Sequence, residues 1–171
     1  MSAMPACKGD IRIRTALAPG DLGMIVHLHG VHYAREFGLD TSFEPYVAKP
    51  LADFVTSGKG RLWIAEQNGS MVGSVALIDD GQGVGQLRWF LLVPSVRGQG
   101  LGRRMLGEAI SYGRACGMHR IFLWTFAELK DALGLYQRFG FVVAAEKPGQ
   151  IWGAQRTELR MQLVLAPTAG R

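Results

Sequence analysis

Val96-Arg97-Gly98-Gln99-Gly100-Leu101-Gly102-Arg103-Arg104 lies at a change of period in the chain. Upstream, Leu87 to Val93 is an apolar run stopped by Pro94. Downstream, Leu101, Met105, Leu106, Ala109 and Ile110 recur at helical spacing, with Arg104, Glu108 and Ser111 on the other side. A strand therefore passes into a helix through glycines at alternate positions, Gly98, Gly100 and Gly102. Without a Cβ, the backbone there bends sharply and lets a ligand come close. The first amides of the helix have no internal acceptors and carry the positive end of its dipole. Together these features make an anion-binding cradle. Arg103 and Arg104 fit the same reading, because cations in a first helical turn oppose the dipole unless an anion sits there. The alternative is a glycine-rich connector whose arginines point into solvent.

The cradle is not a Walker loop, since no Gly-Lys-Ser/Thr closes it. It is not the dinucleotide fingerprint either, because the third glycine of that motif falls on Arg103. The order Arg97-x-x-Gly100-x-Gly102, after a strand ending Leu91-Leu92-Val93-Pro94, resembles the acyl-CoA loop of the GNAT N-acetyltransferases. A second signature of that family, Ala132-x-x-Leu135-Tyr136-x-x-Phe139-Gly140-Phe141, follows in the family's order. The resemblance runs from Ile11 to Leu165. Its central stretches, Leu87-Arg88-Trp89-Phe90-Leu91 and Leu123-Trp124-Thr125, are similar to the acetyltransferase half of MarR/GNAT fusion proteins. The expectation here is a chain without the helix-turn-helix half, and so without DNA binding.

The remaining segments are read by period. Ile11 to Arg14 alternates as a strand, and a helix starts at Pro19-Gly20-Asp21 and ends at Gly38. Thr41 and Glu44 have capping-box spacing before a stripe of Phe43, Val47, Leu51, Phe54 and Val55. Pro50 is expected to split that stripe into two short helices. Arg61 to Gln67 and Met71 to Ile78 form a hairpin around Asn68-Gly69. Asp79-Asp80-Gly81 turns the chain, and Val84 to Val93 is the strand that enters the glycine loop. His119 to Thr125 reads as a buried strand, and Thr125 and Glu128 again suggest a capping box. The next helix ends with Gly140 at C′. Phe141 to Glu146 and Glu158 to Leu165 are the last strands, separated by a long connection that begins Pro148-Gly149-Gln150 and contains Trp152. The expected architecture is α/β in the α+β sense, with a mixed, mostly antiparallel sheet of about seven strands and about four helices. By resemblance this is the GNAT fold, splayed between strands 4 and 5.

The 171 residues, 48% hydrophobic and 19% charged, suit one globular domain with a substantial core. The expected organisation is a disordered tail over 1–10, a single domain over 11–166 and a C-terminal tail over 167–171. No apolar run reaches the ~20 residues of a membrane span, and no signal-peptide core is present. Cys7 and Cys116 lack metal-ligand spacing and need not pair, which points to a reduced, cytoplasmic setting. The net charge of +5 is scattered and carries no nucleic-acid motif. A polyanionic co-substrate such as CoA accounts for some of it.

Acetyl transfer to an amine needs a neutral nucleophile, and an alkyl ammonium has a pKa near ~10. A base or a water chain must therefore take its proton, a donor must meet the oxyanion, and the leaving thiolate needs a proton. The resemblance implies acetyl-CoA as co-substrate and no metal. It places Leu91, Leu92 and Val93 along the pantetheine arm, with an amide there facing the oxyanion. It places Arg97, Gly98, Gln99, Gly100, Leu101, Gly102 and Arg103 around the pyrophosphate. It makes Tyr136 the general acid to the thiolate; the alternative is that Tyr136 only joins an apolar helix stripe. Position 129, where many members carry a cofactor-contacting asparagine, is Leu129. Family members often place a glutamate base on the strand before the loop, but here that region reads Gly85-Gln86-Leu87-Arg88. Glu36 and Glu44 are the candidate bases, Glu44 also as an acceptor contact, with water as the alternative.

His29, His32 and Glu36 can share a helical face, but no His-Glu-x-x-His motif accompanies them. Arg88 interrupts an apolar strand, and a buried charge needs a partner: Glu44, Glu36 or a substrate carboxylate. The acceptor site is expected to lie among Tyr33, Glu36, Glu44, Arg88 and Trp124 and to take a small or peptide amine, possible substrates including amino-acid-like ones with an acid group. No nucleic-acid or membrane partner is expected, and homodimer formation, common among such relatives, stays open. Two other readings are a CoA-binding sensor with little turnover and a basic nucleic-acid adaptor, the latter tested by salt-dependent binding.

Overall fold

The computed structural model describes residues 9–166. Cys7 and most of the expected tails, residues 1–8 and 167–171, lie outside the described residues. Gly9 is tied down, its carbonyl accepting a hydrogen bond from the Gln67 side-chain amide at 2.7 Å.

Seven strands form one sheet in the order β1-β2-β3-β4-β5-β7-β6. They are β1 (Arg12–Arg14), β2 (Gly60–Gln67), β3 (Ser70–Gly81), β4 (Val84–Leu92), β5 (Arg120–Phe126), β6 (Val142–Ile151) and β7 (Ala154–Val164). The helices are α1 (Asp21–Phe37), α2 (Phe43–Ser57), α3 (Leu101–Ala115) and α4 (Lys130–Arg138). Every neighbouring pair is antiparallel except β4 and β5, which run parallel. Their ladder covers only Val84–Arg120, Gly85–Ile121 and Gln86–Phe122, although β4 continues to Leu92 and β5 to Phe126. The two strands therefore part, and a cleft opens beyond Gln86 and Phe122. This is the expected mixed, splayed sheet.

Each face of the sheet carries its own core. Leu77, Met105, Leu106, Ile121, Leu123 and Phe141 pack on the α3 and α4 side. Ile25, Phe43, Val47, Leu51, Ile64 and Phe126 pack on the α1 and α2 side.

Three local expectations are corrected. Pro50 does not split its segment: α2 is one helix of 15 residues. Buried Phe43, Val47, Leu51 and Phe54 hold both halves against the sheet, and that burial outweighs one lost helix hydrogen bond. Neither capping box forms. Ser42 is the N-cap of α2 and Leu129 that of α4, neither with a side-chain cap, and Ser42 binds the Asp40 carboxylate instead. The long connection near Trp152 is a tight hairpin. Strand β6 runs to Ile151, Trp152 (φ 48°) and Gly153 (φ 86°) make the turn, and β7 starts at Ala154. Pro148 fits inside β6 because β6 is the sheet edge, where the missing N–H is not needed.

Strand β4 carries one extra residue. Ser74 pairs with Leu91 and Ala76 with Arg88, so Trp89 and Phe90 together oppose Val75. Trp89 takes a left-handed φ of 48°, and its carbonyl accepts the buried Ser74 hydroxyl at 2.7 Å. The bulge breaks the alternation of side chains. Consecutive Arg88 and Trp89 both face the α2 side, where Arg88 lies 5.6 Å from the Tyr46 ring and Trp89 5.6 Å from the Phe54 ring.

Candidate active site

The glycine loop begins where β4 leaves the sheet. A 3-10 turn, Pro94–Val96, plants buried Val96 in the core and swings the chain outward. Gly98 (φ 71°) and Gly100 (φ 82°) adopt left-handed conformations, and a Cβ on either would meet nothing within 4 Å. A Cβ on Gly102 would meet Leu92 and Leu135 at 3.3 Å, so this glycine lets α3 sit close to β4 and α4. The first helical hydrogen bond of α3 runs from the Arg104 amide to the Gly100 carbonyl at 3.0 Å. Among the described residues, the six amides from Gly98 to Arg103 find no acceptor. They lie at a helix N-terminus with open space beside Gly98 and Gly100, which is what a diphosphate requires. Arg104 pairs with Glu108 at 3.2 Å, while exposed Arg103 has no carboxylate within 4.0 Å among the described residues. The residues present therefore fit the pyrophosphate of acetyl-CoA.

Arg97 is turned elsewhere. Its guanidinium bonds Glu36 at 2.6 and 2.8 Å and its Nε bonds the Leu92 carbonyl at 2.8 Å. The Arg97 amide bonds Pro94. The hydrogen bond from Arg97 holds the Glu36 carboxyl below its ordinary pKa, against a smaller opposing effect of burial.

The cleft between β4 and β5 is lined by groups from both sides of the splay. Tyr33, Arg88, Trp124 and Tyr136, all singled out in the sequence, lie on its wall. Glu36 and Glu44 are not among its lining residues. Glu36 serves Arg97, and Glu44 lies over Gly30 of α1, where an added Cβ would sit 2.6 Å from its Oε1. Leu129 lines the cleft at the position of the family asparagine.

Tyr136 is 6% exposed and packs between Phe90 and Phe141, with ring centroids 6.2 and 5.8 Å away. Burial, with a smaller push from Tyr33, raises its hydroxyl well above the ordinary tyrosine range. It holds its proton at neutral pH. Tyr33 is pushed up to about 12, also mainly by burial.

The cleft lining adds Glu158, which the sequence reading missed, and His29, which it weighed only for a metal. Glu158 of β7 stands opposite Phe126 of β5, and it is the carboxylate on the cleft wall among the described residues. It is one of the polar residues in the alternation Glu158-Leu159-Arg160-Met161-Gln162-Leu163, which gives no sign of a cleft. His29 of α1 also lines the cleft. It is 3% exposed, and its Nδ1 lies 2.8 Å from the Ile25 carbonyl. A carbonyl only accepts, so Nδ1 carries the hydrogen and Nε2 presents a bare lone pair. Nε2 has no partner among the described residues. Burial lowers the His29 pKa to about 4, so the ring is neutral. His27, His29 and His32 do not assemble a metal site: no group of three His, Cys, Asp or Glu is placed to hold a metal ion among the described residues.

An amide cradle at the end of a strand that leaves its parallel neighbour, with a tyrosine on the cleft wall, defines an acyl-CoA-dependent transferase. Residues 30–141 match the family model described as the Acetyltransferase (GNAT) family, and the chain belongs to that family. The uncharacterized N-acetyltransferase YjgM of Escherichia coli K12 is 32% identical over 115 residues, spanning 63% of this chain and 69% of that protein. The uncharacterized N-acetyltransferase C1271.07c of Schizosaccharomyces pombe is 29% identical over 139 residues, spanning 77% and 83%. Among solved structures, an N-acetyltransferase from Staphylococcus aureus Mu50 superposes with a TM-score of 0.76 at 20% identity, covering 92% of this chain and 100% of that one. The structure of yncA from Salmonella typhimurium with its cofactor acetyl-CoA superposes with a TM-score of 0.73 at 22% identity, covering 95% and 98%. The chain is an N-acetyltransferase of a family that uses acetyl-CoA.

Proposed function

We propose that the chain moves an acetyl group to a primary amine of a small molecule or peptide by direct attack within a ternary complex. One observation supports this reading: among the described residues, six successive amides without acceptors open α3 directly after β4, the strand whose parting from β5 makes the cleft that Tyr136 lines, although none of the six is itself among the residues lining that cleft. Acetyl-CoA, when bound, supplies an acyl thioester whose carbonyl carbon takes the amine and whose sulfur leaves. The amides from Gly98 to Arg103 bind its diphosphate, with Arg103 adding charge. The end of β4 beyond its ladder with β5, Leu91 to Val93, stays paired to β3 and uses its other edge to align the pantetheine arm and offer a backbone amide to the oxyanion. Tyr136 keeps its proton until the thiolate forms and then donates it.

The test is free-thiol release from acetyl-CoA across a panel of primary amines. Amine-dependent release that forms the N-acetyl product is the expected result. Saturable CoA binding with no release across the panel would replace this reading with that of a CoA-binding sensor.

A further inference from the structure

The cleft holds one cation and one anion, and neither is neutralised by the protein. Arg88 lies over the rings of Tyr46 and Trp89, at 5.6 and 5.2 Å, and has no carboxylate within 4.0 Å among the described residues. A guanidinium does not give up its charge in a protein, and a half-buried one needs a counter-ion. Beside it, Trp89 is 6% exposed, lines the same cleft, and its indole N–H has no acceptor among the described residues. The bulge in β4 places these two donors on one side of the strand. Glu158 of β7, in the same lining, has no cation within 4.0 Å among the described residues, and the bare Nε2 of His29 on α1 is a second unpaired acceptor. Both charges act on the Tyr46 hydroxyl. Burial raises its hydroxyl, Arg88 draws it back, and Glu158 adds to the rise.

Unpaired donors and unpaired acceptors lining one cleft suit a zwitterion. Resting on the acetyltransferase reading above, we infer that the acceptor is a free amino acid whose carboxylate binds Arg88 with help from the Trp89 N–H, and whose amine faces Glu158. The aromatic rings of Tyr46 and Trp152 suit an apolar side chain. In the reaction, the ammonium gives one proton to Glu158 or through water to solvent, and the neutral nitrogen bonds to the thioester carbon. The carbon–sulfur bond breaks, Tyr136 protonates the thiolate, the new amide nitrogen releases its second proton to water, and solvent returns a proton to Tyr136. A polyamine is excluded by the same charges, because a second cation beside unpaired Arg88 is repelled.

The experiment compares thiol release with L-leucine, L-phenylalanine, their carboxamides, phenylethylamine and spermidine. The free acids are expected to show a kcat/KM at least about tenfold above their amides, the loss typical of a charge-assisted hydrogen bond, and spermidine to be the poorest acceptor. In Arg88→Met the preference for acid over amide disappears, with the KM for acetyl-CoA unchanged; Arg88→Lys keeps part of it. Glu158→Gln lowers kcat for every amine in the panel. Equal turnover of acids and amides by the wild-type chain, or a preference that survives Arg88→Met, overturns the inference and leaves the transferase standing. Absence of release with every amine overturns the transferase reading itself.

Discussion

Arg97 and Glu36, 61 residues apart, meet in a two-pronged ion pair with contacts of 2.6 and 2.8 Å. The same arginine reaches the Leu92 carbonyl with its Nε, so one side chain joins α1, the end of β4 and the glycine loop. The pair explains why Glu36 is a poor base. Arg97 holds its carboxyl below the ordinary range, and both acceptor oxygens are committed.

Glu36→Gln is therefore expected to leave the midpoints of the pH–rate profile where they are. Its stability cost is small, under about 1 kcal/mol, because the pair is partly exposed. The pair's contribution is present above the ordinary glutamate pKa of 4.5 and is lost as pH falls below it through the folded value. A displaced midpoint in kcat/KM would identify Glu36 as the base after all.

His29 makes stability pH-dependent in a higher window. The folded chain protonates it at about 4 and the unfolded chain at 6.5. The unfolded state thus binds more protons between these values, and stability falls as pH drops from 6.5 toward 4. The gap corresponds to about 3 kcal/mol at 1.36 kcal/mol per pH unit. Urea unfolding at pH 7.5 and pH 5 should show this slope in the wild-type chain and a flatter one in His29→Gln. Equal slopes would sink the assignment.

Tyr136→Phe removes the proton donor and keeps the ring that packs between Phe90 and Phe141. The expected result is a kcat lower by roughly 100-fold or more, within the range for general acids, with little change in acetyl-CoA affinity. Because burial raises the hydroxyl far above its usual range, the wild-type rate should not fall between pH 8 and 9 through loss of this acid. Steady-state rates with calorimetric CoA binding would decide it; a Phe variant of full activity is incompatible with the role.

Gly100→Ala tests the cradle. The residue has a φ of 82° and open space around it, so the conformational cost is about 1–2 kcal/mol and no side chain clashes. The new methyl stands among amides that need a diphosphate close by. Acetyl-CoA KM should rise about tenfold or more, as each 1.4 kcal/mol of lost binding is a factor of ten. An unchanged KM would mean the phosphates bind elsewhere.

Local chemistry was legible in the chain itself. Alternate glycines between a strand and a helix announce a cradle because φ and the missing Cβ belong to each residue alone. Asn68-Gly69 announced its hairpin, and Gly38 and Gly140 ended their helices, for the same reason. The splay between β4 and β5 and the place of Tyr136 came through the family pattern, not through any period.

Only the assembled fold decided the rest. Pro50 stays in a helix because burial on the sheet outweighs a local penalty, and Pro148 stays in a strand because topology puts β6 at the edge. The Arg97–Glu36 pair, and the cleft that collects the orphaned Nε2 of His29 with Arg88 and Glu158, bring together residues tens of positions apart. Backbone propensity acts over a few residues, so the sequence could state it outright. Which charges go unpaired depends on which surfaces meet, and that is set only when the sheet and helices pack.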